Sequence, residues 1–597
     1  MSPKKNKPRG SGGDEAPLKS FADLLRARGG EPEPAKAKDG PGWTLEEEAQ
    51  TIDPSHLTEG PAPDTAARDR VTNRPAAFEP MTHGPAVYAD TESEEMQLLA
   101  SFRVRTVFPP DVQSELNDLP EDPREEDFAD RVDLRGREIF TVDGDDAKDY
   151  DDAIEMTVLE NGHLELGVHI ADVGHYVREG TALDDEALAR GTSVYLADQV
   201  VPMLPEQLSN GLCSLVPHRN RLAYSVYMEF DGDGKRVASR VHKSVIRSVW
   251  RNTYRVVQQL LDGVQDEETA KIEFLRPSLE LLTRWTRQQQ AIRDAKGSLR
   301  MQSIEKKFRF DDQHEVTEVY DAARYFSMTL IEETALAANQ AVGDLFRSRG
   351  LPTIYRVHPE KDDEEIAAVA KMLDQFGIRV PKKDRLTGRD IGRMIRAARR
   401  KANAEALIAR IMGLVERAHY EVRDHEKVAK HFGLAREAYL HFTSPIRRYP
   451  DLIVHRWLHA VESRGEEAAT ELKTDSFLQD LNDVAGHCSA QSDVAVMTEA
   501  AVFDLKVCQF MEPHIGEKLD AKVLRVSRAG LEIDLTDFNV RGFLPGKTLG
   551  DRVRVEGSTL TAGRGRNIRS FTEGYAVGVV LKDVDFIRLQ VILDLDR

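Results

Sequence analysis

Cysteine is scarce: Cys213, Cys488 and Cys508 are the only three in 597 residues. They are widely separated and odd in number, which excludes a disulfide framework and points to a reducing compartment. Nor do they have the paired spacing of a zinc site. Long apolar runs are absent as well, none approaching the ~18 residues that a membrane span requires. The N-terminus from Met1 to Gly10 is basic, but no apolar core follows it, so it does not read as a secretory signal. These absences together predict a cytoplasmic protein without a membrane partner. Net positive charge is also missing, at -20 overall, which by itself speaks against a polyanionic ligand. Distribution tempers that reading. Acidic residues crowd Asp111–Glu155, whereas basic ones concentrate at Lys382–Lys401, Arg436–Arg456 and Arg552–Arg569, and local basic stripes suffice to hold a polyanion in a groove.

What the chain does have is six aspartates in the ten residues from Asp143 to Asp152 (D-G-D-D-A-K-D-Y-D-D). Carboxylates this close repel one another. A fold keeps them either as a solvated acidic loop or around a hard divalent cation with oxygen ligands, Mg²⁺ or alternatively Mn²⁺. A calcium loop of the EF-hand type is ruled out, because its fifth, sixth and twelfth positions fall on Ala147, Lys148 and Ile154. A Mg²⁺ site implies phosphate chemistry, since that ion pairs one or two carboxylates with substrate phosphate. A nucleotide-sugar glycosyltransferase using Asp143-x-Asp145 would need a βαβ nucleotide-binding half, and no such run is visible.

The length suggests three or four domains. Residues 1–85 are rich in Gly, Pro, Lys, Glu and Asp and read as flexible, with short helical patterns at Ser20–Arg28 and Thr44–Ile52 that suit a helix-turn-helix-like module or isolated docking helices. Residues 86–129 read as a connector. Strands are predicted at Ile139–Val142, Ala153–Leu159 and Leu164–Ala171, with Asn161-Gly162 as a hairpin turn. A second hairpin, Arg221–Phe230 with Arg236–Val245, turns at Asp231–Gly234. The aspartates therefore sit on a loop entering the edge of an antiparallel sheet. Helices are predicted at Val319–Arg349, Glu364–Phe376, Ala402–Val415, Tyr449–Ser463 and Asp493–Met511. Beyond Gly516, short strands at Gly516–Asp520, Ala521–Ser527, Gly530–Leu535, Arg541–Leu544 and Arg552–Glu556 suggest a small closed barrel of the OB-fold kind. The fold class is thus α+β multidomain, an antiparallel sheet packed with helices followed by a β-barrel.

Two further segments stand out. Pro202–Leu222 has no period of its own and reads as an ordered loop shaping a cavity. His441–Leu452 (H-F-T-S-P-I-R-R-Y-P-D-L) places Arg447 and Arg448 between Pro445 and a helix, where a guanidinium can grip phosphate with two prongs or stay a surface pair.

Together with Val168–Val177, these motifs resemble the ribonuclease II / ribonuclease R family of 3′→5′ exoribonucleases. The resemblance covers roughly Asp130–Ser463 and continues into a barrel similar to that family's S1-like RNA-binding domain. It implies a catalytic domain over 130–515 and an S1-like domain over 516–597. It implies a processive, Mg²⁺-dependent, two-metal hydrolase that acts on the 3′ end of single-stranded RNA and releases nucleoside 5′-monophosphates. By the same resemblance Asp143 and Asp152 bind metal directly, Asp149 supports it, and Asp151 serves the second metal and the attacking water. Asp145 and Asp146 remain as solvated spacers. Arg447 falls on the phosphate clamp, with Arg448 beside it as a further RNA contact. Tyr195 falls on the tyrosine that stacks on the 3′-terminal base, and Glu332 and Tyr254 on the pair that senses the ribose 2′-hydroxyl. His169 and His175 are expected to be structural. The alternative within the family is an RNA-binding member without activity, disfavoured because all four carboxylates and Arg447 are present. A monomer is expected. Two departures from the family stand out. The 142 residues ahead of Asp143 leave little room for the usual two cold-shock domains, and Leu299–Phe308 carries no aromatic where a second stacking ring is expected. The chain also ends without a basic tail.

Overall fold

The computed structural model describes residues 93–596 apart from 300–304, 359–360, 362, 382–385, 402–403, 424–429, 432, 551 and 565–567. The helices expected at Ser20–Arg28 and Thr44–Ile52 lie outside the described residues, as does half of the Leu299–Phe308 stretch.

The connector expected between 86 and 129 contains two short helices, Glu94–Ser101 and Pro110–Asn117. The chain then builds strands β1 (Val132–Asp133), β2 (Phe140–Asp143), β3 (Asp152–Val158), β4 (Leu164–Ala171), β5 (Val194–Tyr195), β6 (Val200–Val201), β7 (Asn220–Phe230), β8 (Arg236–Arg247) and β9 (Trp250–Thr253). Seven of them form one sheet in the order β1-β8-β7-β4-β3-β2-β9. The two predicted hairpins are present, β3–β4 and β7–β8, with Gly162 at φ +82° closing the first. That conformation suits glycine, which has no Cβ to clash. The sheet is not wholly antiparallel as expected: β9 runs parallel to β2 and β1 parallel to β8. Nor is β2 at its edge. The chain returns from β8 and adds β9 outside β2, so the aspartate loop is flanked on both sides.

Every residue of β4 is buried, as befits a central strand covered on both faces. The helices Arg276–Lys296 and Phe326–Ser348 pack against β3, β4 and β7. The second of these was expected to begin at Val319. Instead Val316–Asp321 is a strand paired with Lys306–Phe310. The run Val316-Thr317-Glu318-Val319-Tyr320 alternates and is rich in β-branched residues, and Phe308 and Val319, opposite each other in that hairpin, enter the core of the C-terminal barrel. The last long helix also differs from expectation. It spans Asp475–Met511, 37 residues rather than the predicted nineteen or so, and touches the sheet's associated elements at one end and the barrel at the other.

The barrel is closed by Lys518–Val526, Gly530–Leu535, Val540–Pro545, Gln590–Leu595 and Ala576–Asp585. Five strands were expected, but two assignments change. Gly516–Asp520 and Ala521–Ser527 are one continuous strand, and Val553–Glu556 belongs to a separate three-stranded sheet rather than the barrel wall. Alternating Leu531, Ile533 and Leu535 fill the interior. Among the described residues no helix is long and apolar enough to cross a membrane.

Candidate active site

The loop from Gly144 to Asp151 joins β2 to β3, so Asp143 ends one strand and Asp152 begins its neighbour. Register fixes both: Asp143 pairs with Thr253 and Asp152 with Ile170. The intervening loop is held by side chains distant in sequence. Ser214 Oγ accepts from the Tyr150 amide at 3.0 Å and donates to the Lys148 carbonyl at 2.7 Å. The Leu215 amide donates to the Tyr150 carbonyl at 3.0 Å. Arg251, on β9, donates to the carbonyls of Gly144 and Asp145 at 2.8 and 2.6 Å. The Pro202–Leu222 segment, to which sequence reasoning assigned no chemistry, is thus the brace of the aspartate loop. It contains a wide helical turn, Gln207–Leu212, a geometry that recurs at functional sites.

Asp151 is buried, 4% exposed. Its Oδ1 accepts from the Ile446 amide at 2.9 Å, and Arg447 Nε stands 3.5 Å from Oδ2. Oδ2 has no hydrogen-bond partner. Burial, and then the charges of Asp152 and Asp149, push the Asp143 carboxyl well above the usual range, opposed by Arg251 and Arg447. Burial likewise raises Asp149, Asp151 and Asp152, with Arg447 the leading opposing charge for Asp151 and Asp152. Asp145 and Asp146 are exposed.

Arg447 precedes the helix Tyr449–Arg464, at whose first turn Pro450 sits. The segment just ahead of that helix meets the aspartates through the Ile446 amide and Arg447. Burial opposes the Arg447 cation, but Tyr195, Asp151, Asp451 and Asp149 outweigh it and raise its pKa. Arg448 is engaged differently: it donates to Asp451 Oδ1 at 2.7 Å, and the same oxygen accepts from the Ser444 amide at 2.8 Å. That pair fixes the His441–Leu452 segment rather than presenting a free guanidinium.

Tyr195 is 40% exposed, and it counters the burial that raises the Asp149 carboxyl. Tyr254 opens the helix Tyr254–Leu261 directly after β9. Burial and then the Asp143 and Asp152 charges raise its pKa. Glu332 is not drawn into this group. It is exposed on the helix Phe326–Ser348, with Arg293 Nη2 at 3.5 Å. His169 is fully buried on Ser225 Oγ at 2.7 Å, and His175 contacts Asp127 at 3.0 Å, both structural as expected.

The sequence matches the RNB domain family over residues 131–464. That range contains β2, β3, the aspartate loop and Arg447, the whole assembly just described. The chain belongs to the RNB-domain family. Among curated RNB relatives it is 38% identical to Ribonuclease R of Thermotoga maritima, covering 74% of this chain and 62% of that one. It is 36% identical to Ribonuclease R 1 of Lactococcus lactis, covering 75% of this chain and 54% of the relative. The chain therefore spans a little over half to under two thirds of the length of those relatives. A structure of Mycoplasma genitalium RNase R in complex with ribose methylated single-stranded RNA superposes with a TM-score of 0.74 at 25% identity, covering 86% of this chain and 78% of that one.

Whether this RNB site fits a metal follows from its donors. Among the described residues no three acidic or histidine side chains already stand close enough to enclose an ion. The donor set nevertheless suits a hard cation: Asp143, Asp149, Asp151 and Asp152 offer oxygen only, and Asp151 Oδ2 is buried without a hydrogen-bond partner.

Proposed function

We propose that this protein is a 3′→5′ exoribonuclease that hydrolyses single-stranded RNA processively to nucleoside 5′-monophosphates and serves RNA turnover. The observation that carries the reading is the meeting of four carboxylates, Asp151 buried and Asp143, Asp149 and Asp152 half-buried, with Arg447, across the ~300 residues that separate them in sequence. Structural ion pairs balance charge; this cluster holds more carboxylates than cations, which a cationic ligand would offset.

Two divalent cations, Mg²⁺ or Mn²⁺, held by Asp143, Asp149, Asp151 and Asp152 would supply an activated water and neutralise the attacking and leaving oxygens of the phosphodiester. The chain's own groups do the rest. Arg447 binds the non-bridging oxygens of the scissile phosphate, its guanidinium set by Ser444 Oγ at 3.0 Å and by Asp151. Asp151, its Oδ1 held by the Ile446 amide, would serve the second metal and the attacking water. Tyr195 offers a ring to the terminal base, and stacking accepts any base, hence tolerance of sequence. Tyr254 and Glu332 are the pair that senses the ribose 2′-hydroxyl, and Arg448 holds the arginine segment through Asp451. The barrel guides RNA towards the site. The domains run 1–85, 86–129, 130–515 and 516–597.

Activity is tested with single-stranded RNA labelled at the 5′ end. Shortening from the 3′ end in Mg²⁺, abolished by chelation and restored by Mg²⁺ or Mn²⁺, is the expected outcome. Internal fragments, or decay that persists in chelator, would overturn the reading.

A further inference from the structure

Tyr195 lies on one of the weakest elements of the fold. Strands β5 and β6 are two residues each, joined by a turn in which the Leu196 amide donates to the Gln199 carbonyl at 2.7 Å. A two-residue ladder has no stability of its own, yet a stacking ring must be held in one orientation to bind.

The restraint comes from the helix Asp475–Met511. Glu499 Oε1 accepts the main-chain amide of Tyr195 itself at 2.8 Å. Two turns further along the same face, Lys506 Nζ lies 3.1 Å from Glu95 Oε2 and 3.6 Å from Asp198 Oδ2. Asp198 and Gln199 are the turn residues, and Gln199 Nε2 donates to Glu95 Oε1 at 3.3 Å. All four of these side chains are buried, so the ammonium offsets carboxylates that water cannot reach. Between the two anchors Val194, Val201, Ala495 and Val502 form a small apolar cluster with Met96 and Leu99. On the opposite side, the amide of Ser193 and the hydroxyl of Thr192 donate to the Arg447 carbonyl at 3.1 and 3.0 Å. The β5–β6 hairpin is thereby strapped between the segment carrying the arginine and the long helix.

We infer that Glu499 is a positioning residue for Tyr195, with Lys506 anchoring the far end of the same turn, so that the long helix sets how firmly the 3′-terminal base is held. The inference rests on the reading of Tyr195 as the base contact. Glu499 touches neither substrate nor the carboxylates. Its loss weakens the grip on RNA and leaves bond cleavage alone.

The test uses the full-length protein with Glu499→Ala, Glu499→Gln, Tyr195→Ala and the Tyr195→Ala/Glu499→Ala double variant, on a five-nucleotide and a thirty-nucleotide RNA. Glu499→Ala is expected to raise KM for the short substrate about tenfold with kcat within about twofold. Glu499→Gln, which keeps an oxygen to accept the amide, stays within about twofold of the parent. In the Tyr195→Ala background Glu499→Ala adds nothing, because contacting groups in one chain of effect are not additive. Hydrogen exchange of the 193–201 peptide supplies a readout independent of activity: faster in Glu499→Ala, unchanged in Glu499→Gln. Equal exchange in parent and Glu499→Ala, or a KM effect that persists undiminished without Tyr195, overturns the inference. Unchanged KM in Tyr195→Ala instead overturns the assignment of Tyr195 itself.

Discussion

The amide of Ile446 donates to Asp151 Oδ1 at 2.9 Å across 295 residues of sequence. One oxygen of the most buried candidate carboxylate is thereby committed to the backbone of the arginine segment, and the other is left facing Arg447. An asparagine at 151 keeps an oxygen for the Ile446 amide. Asp151→Asn is therefore expected to fold and bind RNA as the parent does while kcat falls by about 10³. Single-turnover cleavage beside RNA-binding affinity checks this; loss of both together would point to misfolding.

Arg447→Lys retains the charge but loses the planar fork, and a lysine ammonium does not present two parallel donors to phosphate. We expect kcat/KM to drop by about 10², with the thermal midpoint nearly unchanged because the side chain is 40% exposed. Arg448→Lys behaves in the opposite way. It disturbs the buried Asp451 pair and lowers stability more than activity. Melting curves measured beside initial rates separate the two.

On the far side of the sheet, burial works to raise the Glu155 carboxyl, but His169, Tyr227 and Arg137 outweigh it and hold the group at about 2. Tyr227 donates to it at 2.6 Å and Arg137 at 2.8 Å. A carboxyl with a lowered folded pKa stabilises the fold above its unfolded pKa, and that contribution fades as pH falls towards 2. Glu155→Gln is expected to cost about 3 kcal/mol near pH 7, with the difference from the parent shrinking between pH 4.5 and 2. Denaturant titrations at several pH values test it; a difference that is constant with pH would contradict the assignment.

Gly343 sits where the helix Phe326–Ser348 meets the chain leading to the arginine segment. A Cβ there would lie 1.9 Å from the Ala438 carbonyl oxygen, and backbone gives way far less readily than a side chain. Gly343→Ala should destabilise by about 3 kcal/mol and, by shifting Ala438, reduce activity as well. Unfolding measurements with unchanged stability would show that the approach is looser than described.

Much of the catalytic half is legible in the sequence because its signals are local. Asn161-Gly162 and Asp231–Gly234 announce hairpins, and Leu164–Ala171 and Gly530–Leu535 occur with the predicted bounds. The aspartate cluster stands out by composition alone, which leaves a solvated loop and a hard-cation site both open. What is not legible is what holds it in place. Ser214, Arg251, Ile446 and Glu499 act on residues 64 to 304 positions away, and a local pattern does not reveal a partner so distant. The run Val316–Asp321 was misread because Val319 and Ala323 extend the helical stripe of Phe326 and Leu330, while its actual partner, Phe308, lies on a strand whose burial comes from the barrel. Glu332, carried over by resemblance, stands exposed with Arg293 of a neighbouring helix at 3.5 Å, a contact that its own surroundings in sequence do not announce.

The account stands on hydrolytic release from the 3′ end, and isotope-labelled water tests that most directly. Single-stranded RNA digested with Mg²⁺ in ¹⁸O-water should yield nucleoside 5′-monophosphates, each carrying one ¹⁸O on phosphorus, as mass spectrometry reads. Water then supplies the new P–O bond and the penultimate 3′-oxygen leaves. Products free of ¹⁸O, nucleoside diphosphates formed with added phosphate, or oligonucleotides from internal cleavage would contradict it.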